Sequence, residues 1–160
     1  MFFRRPNREF EEGCRNKGRG NRAAFKALVD GGRAPGLLGY REGRPVGWCS
    51  VAPRSEFGRI ERSPVVKPVD DEPGVWSIVC FYVDRQHRGE GVSSALLRAA
   101  VQHAAKKGAR IVEGYPVDPA RRMSNSEAYH GLASMFLAAG FREVERRSKT
   151  RPIMRYTVKR

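Results

Sequence analysis

The clearest hydrophobic run of the chain is Val75–Val83, nine residues that are almost all apolar. A continuous run of this length predicts a strand buried on both faces, and therefore a central one. A glycine turn at 89–91 follows it. After the turn, apolar residues recur at helical spacing as far as Ala104, and Gly108 is placed to end the helix. The middle of the chain therefore predicts a strand, a glycine turn and an amphipathic helix.

Shorter patterns flank this unit on both sides. Before the central unit they predict an irregular polar start over 1–20, a helix capped by Asn21 and stopped by Gly31, strands at 36–40 and 46–51, and a helical turn and loop over 54–74. After it they predict a strand at 109–115, a polar loop at 116–126, a helix from Ser126 or Tyr129 to Ala139, and strands at 142–147 and 153–158. This order predicts an α/β (α+β) fold with a mixed sheet. Because no repeat or linker interrupts it, we expect a single domain over residues 1–160.

Composition narrows the class of protein. Apolar residues make up 40% of the 160 residues, which is enough for a core. The three cysteines form no CxxC pair and indicate a reducing compartment, and the three histidines are too scattered to predict a metal site. No stretch has the length of a signal peptide or a transmembrane span. We therefore expect a soluble cytoplasmic protein with no metal and no membrane association.

The net charge of +14 attracts polyanions, a class that includes coenzyme A, nucleic acid and anionic membranes. The basic residues run through the whole chain, from Arg4 to Arg160, and do not gather in one tail. An ordinary solvated basic surface explains this pattern equally well, so charge alone does not choose a partner.

The turn after the central strand suits an anion. The first amides of a helix lack internal partners and the helix dipole adds positive charge there, so a phosphate fits. Gly89 and Gly91 allow a close approach of the backbone, and Arg88 adds charge. The sequence does not match a Walker motif, and Ser94 stands where a dinucleotide fingerprint needs its third glycine. A tight structural turn is the alternative.

Two segments resemble the GNAT superfamily of N-acetyltransferases. The segment 83–93 resembles its coenzyme A signature, Gln/Arg-x-x-Gly-x-Gly/Ala, through Gln86, Gly89 and Gly91. The segment 136–141, Phe-Leu-Ala-Ala-Gly-Phe, is similar to the helix end of the family. The resemblance covers residues 21–158 and implies a GNAT-like domain, in which splayed strands of a mixed central sheet are flanked by helices. It also implies acetyl-CoA as cosubstrate.

The resemblance further implies cofactor-binding roles. The pyrophosphate would be held by backbone amides, those of Arg88, Gly89, Gly91, Val92 and Ser93. The strand edge from Phe81 to Val83 would pair with the pantetheine arm, and the Val83 amide would stabilise the oxyanion. Phe136 would pack against the cofactor.

Catalytic roles need separate candidates, because Phe136 stands where many family members have a tyrosine that protonates the leaving thiolate. Tyr129, seven residues earlier, is our candidate for this acid. Glu113 is the leading candidate for the general base, since a carboxylate in an apolar strand can face the cleft, and Asp118 is the second. Cys80 lies in a buried strand, where cysteine is usually core, so we expect direct transfer.

Several functions remain open at this point. The first is an N-acetyltransferase for an amine-bearing small molecule or protein. The second is a basic nucleic-acid- or ribosome-binding module on the same fold with little or no catalysis, although no RNP, KH or zinc pattern supports it. The third is a transferase that docks on an acidic partner. We expect a monomer or homodimer.

The superfamily normally begins with a strand, and here only residues 1–4 are available for one. We therefore expect the N-terminal strand to be short or missing. We also expect Met1 to be an internal methionine of a longer natural chain.

Overall fold

The computed structural model describes residues 1–119 and 128–159. Its helices and strands are, in chain order, α1 (Asn7–Asp30), β1 (Leu37–Arg41), β2 (Arg44–Pro53), α2 (Gly58–Glu61), β3 (Val75–Val83), α3 (Val92–Lys106), β4 (Ile111–Gly114), α4 (Ala133–Ala138), β5 (Arg142–Arg146) and β6 (Pro152–Thr157). The predicted order of elements is confirmed, and the bounds of β3 agree with those predicted.

The strands form one six-stranded mixed sheet in the order β1-β2-β3-β4-β6-β5. Neighbouring strands are antiparallel except for β3 and β4, which are parallel and are connected through α3. The nearly continuous apolar run of β3 therefore lies in the interior of the sheet, as its composition predicts.

The parallel pair separates part of the way along β3. Pairing begins at Val75 with Ile111 and ends at Ile78 with Gly114, whereas β3 itself continues to Val83. Beyond Ile78, that edge of β3 has no neighbouring strand among the described residues. This is the splay that the family resemblance implies.

Each face of the sheet carries its own hydrophobic core. The core on the α3 face includes Ile78, Phe81, Leu96, Leu97, Ala100, Val112 and Phe136. The core on the opposite face includes Phe3, Phe57, Ile60, Val79, Tyr115 and Ile153. The successive residues Ile78 and Val79 of β3 contribute to different cores, as the alternation of a strand requires. The pairing of β2 with β3 skips Val79, and after this irregularity Phe81 returns to the core on the α3 face.

The start of the chain differs from its prediction. Residues 1–20 were expected to be irregular, but α1 begins at Asn7 and is broken only at 15–18, where the backbone is non-helical. The Asn21 side chain connects the two halves. Its amide nitrogen donates to the Phe10 backbone carbonyl at 2.9 Å, and its amide oxygen accepts from the Arg5 guanidinium at 2.9 Å. Asn21 therefore joins the halves of α1 and is not an N-cap.

Two further bounds differ from the sequence prediction. The strand β4 is shorter than the predicted 109–115, and α4 begins at Ala133, so that Tyr129 lies in a preceding 3-10 turn, Ala128–His130. The predicted loop 116–126 and the Ser126 helix start fall partly or wholly outside the described residues. Within those residues, no helix is both long and apolar enough to cross a membrane.

Candidate active site

A cleft of about 540 Å³ opens where β3 extends beyond β4, a size that suits a small-molecule site. Its lining comes from the end of β3, the glycine turn, the start of α3 and the segment before α4: Phe81, Tyr82, Val83, His87, Arg88, Gly89, Gly91, Val92, Ser93, Ser94, Tyr129, Gly131, Leu132 and Met135. Every predicted cofactor-binding residue except Phe136 lines this cleft.

The wall of the cleft formed by β3 is an open strand edge. The amide of Asp84 donates to the Val46 carbonyl on β2 at 2.9 Å. Because backbone groups alternate in direction along a strand, those of Phe81 and Val83 point away from β2 and into the cleft. The Val83 carbonyl accepts from the Arg88 side chain at 3.2 Å, which ties the edge to the glycine turn.

The glycine turn places helix amides at the far end of this edge. Gly89 and Gly91 have φ angles of 83° and 79°, a left-handed conformation that other residues rarely adopt, and Gly91 is the N-cap of α3. The amides of Val92 and Ser93 belong to the first turn of α3, so they have no partner within the helix. These amides could hold an anionic group.

Two other residues near the turn refine the sequence prediction. Gln86, which matches the coenzyme A signature, does not line the cleft. Its backbone amide donates to the Asp84 carboxylate at 2.9 Å. Ser94 also lines the cleft, although it was not predicted as a binding residue. In the sequence it served only to exclude a dinucleotide fingerprint, which needs a glycine at this position.

The charges around the turn leave it positive. Glu90 accepts from Arg41 and lies 3.1 Å from His87 Nδ1, so its carboxylate is held on the side of β1. Arg88 lines the cleft itself and has no acidic partner among the described residues. This balance favours a phosphate over a cation at the turn.

Phe136 lies beneath the cleft and does not line it. Its side chain is fully buried, and its ring packs edge-on against Phe81 at 6.2 Å and against Phe141 at 4.9 Å. A β-carbon on Gly114 would overlap the Phe136 ring. Phe136 therefore fills the point where β3 and β4 separate and supports Phe81 from below.

Tyr129 lines the cleft from the 3-10 turn Ala128–His130, which contacts β3. It is 41% exposed, and its ring packs against that of His130 at 3.9 Å. Burial raises the pKa of the Tyr129 phenol, and the nearby Arg151 and Arg59 oppose this effect. The phenol therefore keeps its proton at neutral pH.

His130 was not predicted as a site residue. It is 4% exposed, and its Nδ1 lies 2.9 Å from the Val79 carbonyl, close to the point where the strands separate. Burial lowers the pKa of His130 to about 4, and Arg151 adds to the effect. Nothing in a single sequence distinguishes this histidine from a surface one.

Glu113 lies on the face of the sheet opposite the cleft. It is fully buried, accepts from the Tyr115 hydroxyl at 2.6 Å and from Arg155 Nε at 2.7 Å, and lies 3.6 Å from Arg54. Arg155 also binds Asp70, whose pKa it lowers to about 2. Glu113 is thus the centre of a buried ionic network, because Arg155 is its register partner on β6.

The other predicted candidates are also engaged or deactivated. Asp118, the second candidate for the base, is bound by Arg146 at 2.8 Å. Burial raises the pKa of Cys80, so its thiol keeps its proton and is a weak nucleophile. No cluster of three or more histidine, cysteine or acidic side chains suited to a metal occurs in 1–119 and 128–159.

Comparison with known proteins identifies the fold. Residues 5–125 match the model of the Acetyltransferase (GNAT) family, which is more than half of the chain. Curated proteins gave no match.

Several solved structures are similar at low identity. A ribosomal-protein-alanine N-acetyltransferase from Brucella melitensis has a TM-score of 0.55 at 17% identity, covering 86% of this chain and 77% of its own. The protein yncA from Salmonella typhimurium, solved with its cofactor acetyl-CoA, has a TM-score of 0.53 at 16% identity, covering 86% and 72%. The aminoglycoside acetyltransferase AAC(6')-Ib, solved with coenzyme A, has a TM-score of 0.53 at 18% identity, and the match covers 75% of this chain and 64% of that chain. None of these comparisons supports the nucleic-acid-binding alternative.

Proposed function

Because the chain belongs to the acetyltransferase (GNAT) family, we propose that it transfers an acetyl group from acetyl-CoA to an amine acceptor. The observation that carries the proposal is the open edge of β3, which leads from the separation of the strands to the glycine turn before α3. A pantetheine arm needs an extended edge and its pyrophosphate needs free amides. The cleft offers the extended edge of β3 and, next to it, the free amides at the start of α3. That similar folds were solved with acetyl-CoA and with coenzyme A supports this cosubstrate.

The cofactor would lie along the cleft as an added strand. In this proposal the pyrophosphate is held by the amides predicted for it, those of Arg88, Gly89, Gly91, Val92 and Ser93. The backbone of Phe81 and Val83 pairs with the arm. The Val83 amide donates to the thioester carbonyl and stabilises the oxyanion when the amine attacks. Phe136 contributes by supporting Phe81.

Tyr129 is the proposed general acid. The acceptor nitrogen attacks the thioester carbon, the carbon–sulfur bond breaks, and the Tyr129 phenol gives its proton to the departing sulfur. The phenolate then regains a proton from solvent. A phenol with a raised pKa suits this role, because it is protonated before the step.

Glu113 as general base stays a prediction that its surroundings disfavour. The Tyr115 hydroxyl and the guanidinium groups of Arg155 and Arg54 already surround the Glu113 carboxylate, which lies on the face of the sheet away from the cleft. We propose instead that Glu113 holds β4 against β6. Since no carboxylate from the described residues lines the cleft, the ammonium proton passes to water in our proposal.

The acceptor is proposed to be an amine-bearing small molecule or a protein, and the names of the Brucella enzyme and of the aminoglycoside enzyme support amines as a class. Four acidic residues, Glu56, Asp70, Asp71 and Glu72, could locally attract a polycation, but Glu56 is paired with Arg4, and Asp70 with Arg155. With a net charge of +14, the protein therefore suits a neutral or acidic acceptor better than a polycation. We further propose a cytoplasmic protein with one domain over 1–160, as a monomer or homodimer.

Calorimetric titration with acetyl-CoA tests the binding site. Gly89→Val should weaken binding at least ~10-fold, because valine disfavours the left-handed backbone that shapes the turn. Gly43→Val is the matched control: Gly43 has a similar φ of 76° and equally open surroundings, but it lies in the β1–β2 turn. Acetyl-CoA affinity should be unchanged in this control.

A screen of amines with a free-thiol readout then tests transfer. Neutral and acidic amines should release coenzyme A thiol faster than polyamines do. Absence of acetyl-CoA binding at millimolar concentration would contradict the proposed function, and binding without transfer to any amine would contradict its catalytic half.

A further inference from the structure

Two backbone carbonyls lose their strand partners where β3 and β4 separate, and each is satisfied by a side chain. The Val79 carbonyl on β3 lies 2.9 Å from His130 Nδ1. The Tyr115 carbonyl, just past β4, accepts from Arg151 at 3.1 Å. A buried carbonyl without a donor is costly, so these side chains stabilise the separated arrangement.

The segment that carries His130 also binds the other side of the separation. The Val117 amide donates to the Gly131 carbonyl at 2.9 Å, and the Ala133 amide donates to the Val117 carbonyl at 2.8 Å. Residues 130–133, which we call the wedge, are therefore fixed to the chain after β4 by backbone and to β3 by the His130 side chain.

The His130 ring also contacts Tyr129. The two rings lie 3.9 Å apart, and Phe3 closes the other side of His130 edge-on at 5.6 Å. Since a carbonyl can only accept, Nδ1 carries the proton and the ring bonds Val79 in its neutral form. The orientation of the imidazole is thus defined by one hydrogen bond and two aromatic contacts.

We propose that His130 is a positioning residue: its bond to the Val79 carbonyl anchors the wedge against β3, sets the width of the cleft and holds Tyr129 in the lining of the cleft. The inference rests on the proposed function for what the cleft binds. The hydrogen bond itself does not depend on that function.

A merely space-filling role for His130 makes a different prediction. His130→Asn retains a side-chain N–H close to the position of Nδ1 but loses much of the ring. His130→Leu fills more of the volume but cannot donate. The hydrogen bond predicts that asparagine preserves the wedge, whereas packing alone predicts that leucine does. His103→Asn is the control, because His103 lies on α3, where it contacts Trp76.

Two measurements on the full chain read the outcome. Hydrogen exchange of the Val117 and Ala133 amides, without ligand, should be at least ~10-fold faster in His130→Leu, a factor that corresponds to about 1.4 kcal/mol. The Kd for acetyl-CoA should rise by a similar factor in that variant, because fewer molecules have an open cleft. His130→Asn and His103→Asn should stay within ~3-fold of the parent protein in both measurements.

Leucine behaving like asparagine, or preserving exchange better than asparagine, would overturn the proposal. If the parent protein does not bind acetyl-CoA, the proposed function fails, yet the exchange of Val117 and Ala133 still decides whether the histidine anchors the wedge.

Discussion

Acidification should destabilise this protein through His130. The native imidazole has a pKa of about 4, because burial disfavours the charged form and Arg151 repels it, whereas the pKa of this histidine in the unfolded chain is the ordinary 6.5. Between these values the unfolded state binds a proton that the native state does not. Stability therefore rises with pH across this window and is lost as the pH falls.

The magnitude follows from the two pKa values. Proton binding favours the unfolded state by about 1.4 kcal/mol for each pH unit in the steep part of the window. From pH 7 to pH 5, His130 alone should remove about 2 kcal/mol of unfolding free energy. The low pKa of Asp70, about 2, acts in the same direction but only at lower pH. Burial and the neighbouring Lys107 and Lys106 also lower the pKa of His103, so His103 contributes with the same sign between pH 5 and 7, and the variants described next separate the two histidines.

Urea unfolding followed by circular dichroism at pH 7 and pH 5 measures the effect, provided that the denaturant slopes agree. In His130→Asn the loss between the two pH values should be smaller by about 2 kcal/mol, since asparagine does not titrate. His103→Asn should remove a smaller part of the pH dependence, because His103 is less buried than His130. A parent and a His130→Asn variant with equal pH dependence would refute the buried neutral imidazole.

Three further predictions concern the cleft and its support. Gly114→Ala should destabilise the protein by about 1–3 kcal/mol in urea unfolding, because the new β-carbon would meet the Phe136 ring. Adding Phe136→Leu should recover part of this loss, whereas strictly additive effects of the two substitutions would contradict the contact. Glu113→Ala should cost about 2–4 kcal/mol of unfolding free energy, since Arg155 keeps Asp70 but loses its buried partner, and the Tyr115 hydroxyl loses its acceptor. Normal stability with lost activity would support the general base instead. Tyr129→Phe should lower kcat by at least ~100-fold with an unchanged Kd for acetyl-CoA, and an unchanged kcat would exclude the proposed acid.

The central unit of the fold could be predicted because its signals are local. The apolar run of β3 reflects its burial between the two cores, and the helical spacing of α3 reflects contact with one of them. The turn between them could be predicted for the same reason, since the left-handed backbone at Gly89 and Gly91 is a property of those residues. The cofactor end of the cleft depends mainly on such local features.

The features that sequence reasoning missed depend on contacts between distant residues. The first half of α1 is held by Asn21, whose side chain reaches Phe10 across the break, and the same asparagine suggested a cap when only its neighbours were considered. His130 gains its role from Val79, far away in the chain. Neither contact leaves a periodic pattern.

Glu113 illustrates most directly why the surroundings of a candidate catalytic residue were harder to predict than the glycine turn. The alternation of β4 allowed two orientations for its carboxylate, into the cleft or onto the opposite face, and residues 111–114 do not choose between them. The choice depends on β6, which pairs Arg155 with Glu113, and on Tyr115, whose hydroxyl donates to the same carboxylate. Backbone amides bind a phosphate whatever side chains they carry, whereas a base requires one free carboxylate with a clear path to the acceptor. The proposed cofactor end of the cleft therefore follows mainly from the turn, and the proposed acceptor end depends on which charges the folded sheet has already paired.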